Sequence, residues 1–176
     1  MTPAELKQYL RLSHASEDDL LAGLIRAARE DVERATGLAL IEQGWRLVLD
    51  RLPSDRRIPL PRYPVREVVS VTIYDADGAA SVLGSSTYQT DTMSRPARLL
   101  LADRPDGLRA MNGLEVDFLA GFGEAGPDVP DLLRRAIVRL AAHWYEFRAS
   151  YGPDHHPVSY PAGYDRMISS YVERRL

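Results

Sequence analysis

Apolar positions along this chain change their period several times, and each change marks an element. Leu20, Leu21, Leu24, Ile25, Ala28, Val32 and Ala35 recur at helical spacing, and Leu133, Ala136, Ile137, Leu140, Ala141, Trp144 and Tyr145 do so again much later. The second series follows i, i+3, i+4, i+7 and i+8 onward, one face of a helix of about five turns. Between the two helices the period falls to two. Strands are expected over 45–50, 57–60, 65–74, 79–83, 87–91 and 97–101, and over the alternation of Leu114, Val116 and Phe118 with Glu115 and Asp117. Near the end, Tyr164, Met167, Ile168, Tyr171 and Val172 return to helical spacing and predict a short helix over 164–174 with one apolar stripe.

The residues that start and stop elements fit this division. Thr2-Pro3-Ala4-Glu5 has the types of a capping box ahead of Leu6, Tyr9 and Leu10, so a short first helix is expected. Ser16 with Asp19 opens the second helix, and Gly37 closes it as a left-handed cap. Gly121, Gly123 and Gly126 end the last strand; Asp128 is placed to cap the long helix, with Pro130 and Asp131 in its first turn. Prolines at 53, 59, 61 and 64 keep their segments out of central sheet positions, and Asp75 to Gly78 and Asp103 to Gly107 read as turns.

The fold class expected is α+β: a helical core of two main antiparallel helices plus a short N-terminal helix, an inserted small antiparallel β-sandwich or barrel-like domain, and a C-terminal arm ending in a short helix. In residue numbers this is a discontinuous core over 1–40 and 126–148, an insertion over 41–125, and an arm over 149–176.

Composition narrows the class. At 176 residues, 45% hydrophobic and 27% charged, the chain has the make-up of one globular unit with a sizeable core. No apolar run approaches the roughly 20 residues of a membrane span. The N-terminus lacks the regions of a signal peptide, so synthesis and retention in a cytoplasm are expected. The absence of cysteine removes disulfides and thiolate chemistry. A net charge of -3 disfavours broad nucleic-acid affinity while leaving room for a local basic face.

Candidate chemistry is sparse. Asp154, His155 and His156, with His143, are metal-ligand types, yet three of them sit in a proline-rich segment rather than on rigid elements. His143 with Glu146 lacks the second histidine of a zincin. Asp75-x-Asp77-Gly78 lacks the closing glutamate of a calcium loop, and a turn is the better reading. Gly121-Phe122-Gly123 has no lysine for a phosphate loop and is flanked by Glu124 and Asp128. Ser85-Ser86 lacks a nucleophile elbow. No catalytic constellation emerges, and no cofactor or metal is expected.

Two surface features remain. Arg134, Arg135 and Arg139 lie along the flank of the long helix, and Arg166, Arg174 and Arg175 decorate the terminal one. They read as solvated charges, or together as a surface for an acidic partner or DNA phosphates. The stripe of Tyr164, Met167, Ile168, Tyr171 and Val172 suits either a groove on another chain or a return onto its own.

The order of parts resembles one family. Asp18 to Gly37 in the form Asp-Asp-Leu-Leu…Ala-Ala-Arg-Glu-x-Val-Glu-x-x-Thr-Gly is followed by a tryptophan-led strand and Ile58-Pro59-Leu60-Pro61-Arg62-x-Pro64-Val65. Asp-Gly turns come next, then Phe118-x-Ala120-Gly121-Phe122-Gly123 and a Val-Pro helix ending Tyr145-Glu-x-Arg148. Over nearly its whole length the chain resembles the head-tail connector, or adaptor, family of long-tailed bacteriophages, prophages and gene transfer agents. The resemblance implies a non-enzymatic structural protein of the virion neck, made in a bacterial cytoplasm. It would be monomeric when free and form a dodecameric ring beneath the portal protein, joined below to a stopper or tail-terminator protein. DNA would pass through the ring without sequence-specific contacts, and no membrane would be involved. The docking stripe would then meet the portal or a neighbouring subunit. The alternatives are a small α+β ligand-binding or hydrolytic domain, or another neck component such as a stopper.

Overall fold

A computed structural model describes residues 1–147 and 159–172. The chain divides into two compact units, one of Met1–Thr36 with Ala125–Leu176 and one of Gly37–Glu124.

The first unit is helical. Helix α1 (Pro3–Leu10) starts in a closed capping box: the Glu5 amide donates to Thr2 Oγ1 at 3.3 Å, and the Thr2 amide donates to Glu5 Oε2 at 2.7 Å. Helix α2 (Asp18–Thr36) ends at Gly37, whose φ of 71° is the left-handed conformation expected of its cap. Helix α3 spans Asp131–Phe147 and helix α4 spans Tyr164–Ile168. Helix α2 packs on α3, α1 on both, and α4 on α3. The buried side chains are those that the period selects: Leu21, Ile25, Ala28 and Val32 from α2, and Leu133, Ala136, Ile137, Leu140 and Ala141 from α3. Each buried leucine or isoleucine stabilises the unit by roughly 1.5–3 kcal/mol.

Several local expectations differ from the structure. Leu20 and Ala35 are exposed, because each lies one residue, about 100°, off the buried stripe of α2. Ser16 does not cap α2: its hydroxyl hydrogen-bonds the His14 ring at 2.9 Å, and the Glu17 carbonyl accepts the Leu21 amide. Asp128 accepts the Ala125 amide at 2.9 Å within a 3-10 turn over Gly126–Asp128, so it is spent before α3 begins. The terminal helix stops at Ile168 and tightens into a 3-10 turn over Ser169–Tyr171, where the Ser169 hydroxyl donates to the Arg166 carbonyl at 3.1 Å. Serine offers the backbone such alternatives to helix continuation.

The second unit is all β. Strands β1 (Gln43–Leu49), β2 (Arg57–Pro59), β3 (Val65–Tyr74), β4 (Ala80–Val82), β5 (Tyr88–Asp91), β6 (Arg98–Leu101) and β7 (Leu114–Ala120) form two antiparallel sheets, ordered β1-β7-β3-β4 and β2-β6-β5. Pro59 lies on the edge strand β2, where a missing donor costs no ladder bond. Strand β7 is central and alternates as its sequence predicts, with Leu114, Val116, Phe118 and Ala120 buried. They share one core with Ile58, Leu99 and Leu101 of the other sheet, which makes the unit a small sandwich. Gly121, at φ 148°, is required by a close approach: a Cβ there would lie 2.3 Å from the Glu42 nitrogen. The Asp75 to Gly78 stretch is a turn in which Asp75 Oδ1 accepts the amides of Asp77 and Ala79 at 3.0 and 2.8 Å.

Candidate functional site

The residues singled out for docking lie in the helical unit, on the segment 159–172. Four ties hold this segment to α2 and α3. Tyr164 donates its hydroxyl to Asp31 Oδ2 at 2.9 Å and Tyr160 donates to Asp31 Oδ1 at 3.1 Å. Arg139 donates to the Ala162 carbonyl at 2.8 Å, and the Trp144 indole donates to the Ser159 carbonyl at 3.2 Å. His143 Nε2 and Ser159 Oγ add a contact at 2.8 Å.

Asp31 sits at the centre of this arrangement. It is 8% exposed on the inner side of α2 and accepts a third hydrogen bond, from the Arg34 guanidinium. A buried carboxylate is costly unless its lone pairs are engaged, and here two phenols and one cation engage them. The phenols respond in turn. Burial first, then the Asp31 carboxylate, pushes the Tyr164 hydroxyl well above the ordinary tyrosine range, and Tyr160 shifts the same way for the same leading cause. Its bond to Asp31 raises Arg34. The Tyr160 and Tyr164 rings stack with centroids 5.1 Å apart.

This arrangement divides the docking stripe. Tyr164 and Ile168 are buried within the helical unit, so their apolar surface is used inside this chain. Met167 and Tyr171 are half-buried and Val172 is exposed, which leaves these three with surface for a second chain.

The arginines separate too. Arg134 lies between Asp131 at 3.2 Å and Glu5 at 3.5 Å, and Arg139 is committed to Ala162. Arg135 is exposed beside a shallow hollow of about 360 Å³ that Met1, Tyr9 and Val138 also line. Arg174 and Arg175, the Arg148 that ends the family-like helix motif, and Asp154, His155 and His156 lie outside the described residues.

Sequence reasoning missed Asp31 as the anchor of the terminal segment. The signal present was an acid beside Val32 in an apolar stripe, in a chain whose tail carries Tyr160 and Tyr164. It also missed three arginines of the β unit, Arg51, Arg104 and Arg109, that line one hollow at the end of the sandwich.

Comparison with known proteins adds what this geometry cannot supply. The family described as phage gp6-like head-tail connector protein matches residues 1–95. No curated protein matches the chain. Among solved structures, a chain from the neck of an empty gene transfer agent particle, computed with C6 symmetry, is 28% identical and superposes with a TM-score of 0.83, covering 100% of this chain and 91% of that one. A chain from the virion of a native gene transfer agent particle is 27% identical at a TM-score of 0.82, with coverage of 100% and 91%. A third, from the neck of a native particle computed with C12 symmetry, is 27% identical at 0.77, covering 98% and 88%.

Proposed function

We propose, since this chain belongs to the phage gp6-like head-tail connector family, that it is a ring-forming subunit of a virion or transfer-particle neck, seated beneath the capsid portal and joining it to the next neck component. The observation that carries this reading is the superposition over 100% of the chain, at a TM-score of 0.83, on a chain from such a neck. The C12 symmetry of a further neck supports twelve copies around the particle axis. DNA passes through the ring and meets it without sequence readout. The work of the protein is mechanical and non-enzymatic: it presents surfaces to the portal above and to a stopper or tail terminator below.

On this reading the terminal segment contributes to docking through Met167, Tyr171 and Val172, while Tyr164 and Ile168 fix it to its own unit through the Asp31 anchor. Arg135 supplies a cation at the surface of α3, and Arg134 and Arg139 brace the unit.

Electron microscopy of particles from cells with and without the gene tests the assignment. The expected result is a ring at the portal vertex that disappears on deletion, leaving heads without tails, and that returns when the full chain is supplied. Normally tailed particles in the deletion strain would overturn it. Removing residues 160–176 is expected to abolish incorporation; normal incorporation of that chain would remove the terminal segment from the docking interface.

A further inference from the structure

One end of the β sandwich holds three arginines that form no ion pair among the described residues. Strand β1 stops at Leu49, paired with Leu114 where β7 begins, so the loop after β1 and the loop before β7 emerge side by side. The two loops are tied together. Asp50 Oδ1 accepts the Asn112 amide at 2.8 Å, and Arg104 donates to the Pro53 carbonyl at 3.0 Å. Arg109 donates through Nε to the Asn112 carbonyl at 2.8 Å, and its guanidinium lies 4.1 Å over the Tyr74 ring. Between the loops is an open hollow of about 320 Å³, lined among others by Arg51, Arg104, Arg109, Asp50, Leu52 and Leu108.

The partners of these arginines matter. Backbone carbonyls and an aromatic face orient a guanidinium without cancelling its charge. None of the three forms an ion pair with a described residue, in contrast to Arg46, Arg57, Arg66 and Arg98 of the same unit, which all do. Asp50 is the one carboxylate of the lining, and its Oδ1 accepts the Asn112 amide. Three positive side chains thus face one negative one. Arg104 and Arg109 are held in place before any ligand arrives, which lowers the ordering cost of binding.

We propose that this hollow is an oxyanion site that takes a phosphodiester group of DNA. Planar guanidinium forks match a phosphate in a way that reads no sequence, and the apolar Leu52 and Leu108 leave room for the adjoining sugar. The proposal rests on the neck reading, which brings a duplex within reach. It also places a DNA-facing surface on the loops of the β unit, apart from α3, where Arg134 is ion-paired with Asp131 and Glu5.

The test is an NMR titration of the isotope-labelled full chain with a short mixed-sequence duplex at low salt, paired with fluorescence anisotropy over a salt series. Among the described residues the Arg51 side chain has no hydrogen bond that holds the loops, so Arg51→Glu is expected to keep the fold while weakening binding and lowering the salt slope of log K by about 1. Arg109→Lys keeps the charge and loses the fork, and is expected to bind more weakly than the unsubstituted chain with an unchanged slope. Duplex-induced amide shifts should centre on 50–53 and 104–112. Absent shifts, or shifts at Arg134 and Arg135 instead, would overturn the site. So would shifts of the same loops on concentrating the protein without DNA, which would assign the hollow to acidic side chains of a second copy. Particles carrying the unsubstituted chain separate the two claims: a ring at the portal vertex with no duplex binding in solution removes this site alone, whereas no ring removes the neck assignment.

Discussion

The two units of this chain handle charge in opposite ways. In the helical unit the carboxylate of Asp31 is taken inside and surrounded by Tyr160, Tyr164 and Arg34, so that a polar cluster fastens the last described segment. In the β unit the interior is apolar from both sheets, and Arg51, Arg104 and Arg109 stay at the periphery, the latter two against neutral carbonyls. The difference separates two uses of an ionised group. A buried ion with both oxygens hydrogen-bonded costs too much to be released in passing, and it serves position. A cation whose charge is uncancelled can be claimed by another molecule, and it serves recognition.

The largest effect should come from the apolar side of this contrast. Phe118 is 1% exposed on the central strand β7, between Trp45 of β1 and Val68 of β3. Phe118→Ala is expected to destabilise the β unit by roughly 3–5 kcal/mol through lost burial and a residual cavity. Hydrogen exchange of the β1, β3 and β7 amides reads this directly. Protection left unchanged would mean that the sandwich does not depend on the core shared by its sheets.

A smaller effect is expected at the polar cluster. Asp31→Ala removes the acceptor of two phenols and leaves the Tyr164 hydroxyl buried without its partner, at a cost of about 1–3 kcal/mol. The signature is local: amides of 164–171 should lose protection ahead of those in the middle of α2 and α3. If the terminal segment stays as protected as before, the apolar contacts of Tyr164 and Ile168 alone hold it, and the comparison between the units loses its polar half.

How far these features could be read from the chain follows from how local their causes are. The strands of the β unit were legible because alternation, proline and glycine act within a few residues, and Gly37 and the Thr2 capping box were legible for the same reason. Ser16 and Asp128 misled because each has a nearer partner, His14 and Ala125, that propensity does not rank. Asp31 was hidden by distance, since its phenol donors lie 129 and 133 residues away. The arginine hollow was hidden likewise. Only the pairing of Leu49 with Leu114 brings Arg51 close to Arg104 and Arg109.

The smallest expected effect sharpens the comparison through pH. The Tyr164 hydroxyl titrates well above the ordinary tyrosine value of about 10 because burial, and then Asp31, disfavour the phenolate. The unfolded chain therefore ionises first as pH rises. Below about pH 10 both states keep the proton and the contribution of Tyr164 is fully present; above it, stability is lost until the folded state also ionises. Tyr164→Phe keeps the ring and deletes the titrating group. It is expected to cost about 1 kcal/mol at neutral pH, for one hydrogen bond to a carboxylate that retains Tyr160 and Arg34. It should also make the alkaline decline in stability of the helical unit shallower. Denaturant unfolding of both chains between pH 8 and about pH 11 measures the two effects together. Parallel curves over that range would mean that Tyr164 ionises alike in the folded and unfolded states, and that the cluster around Asp31 is open to water.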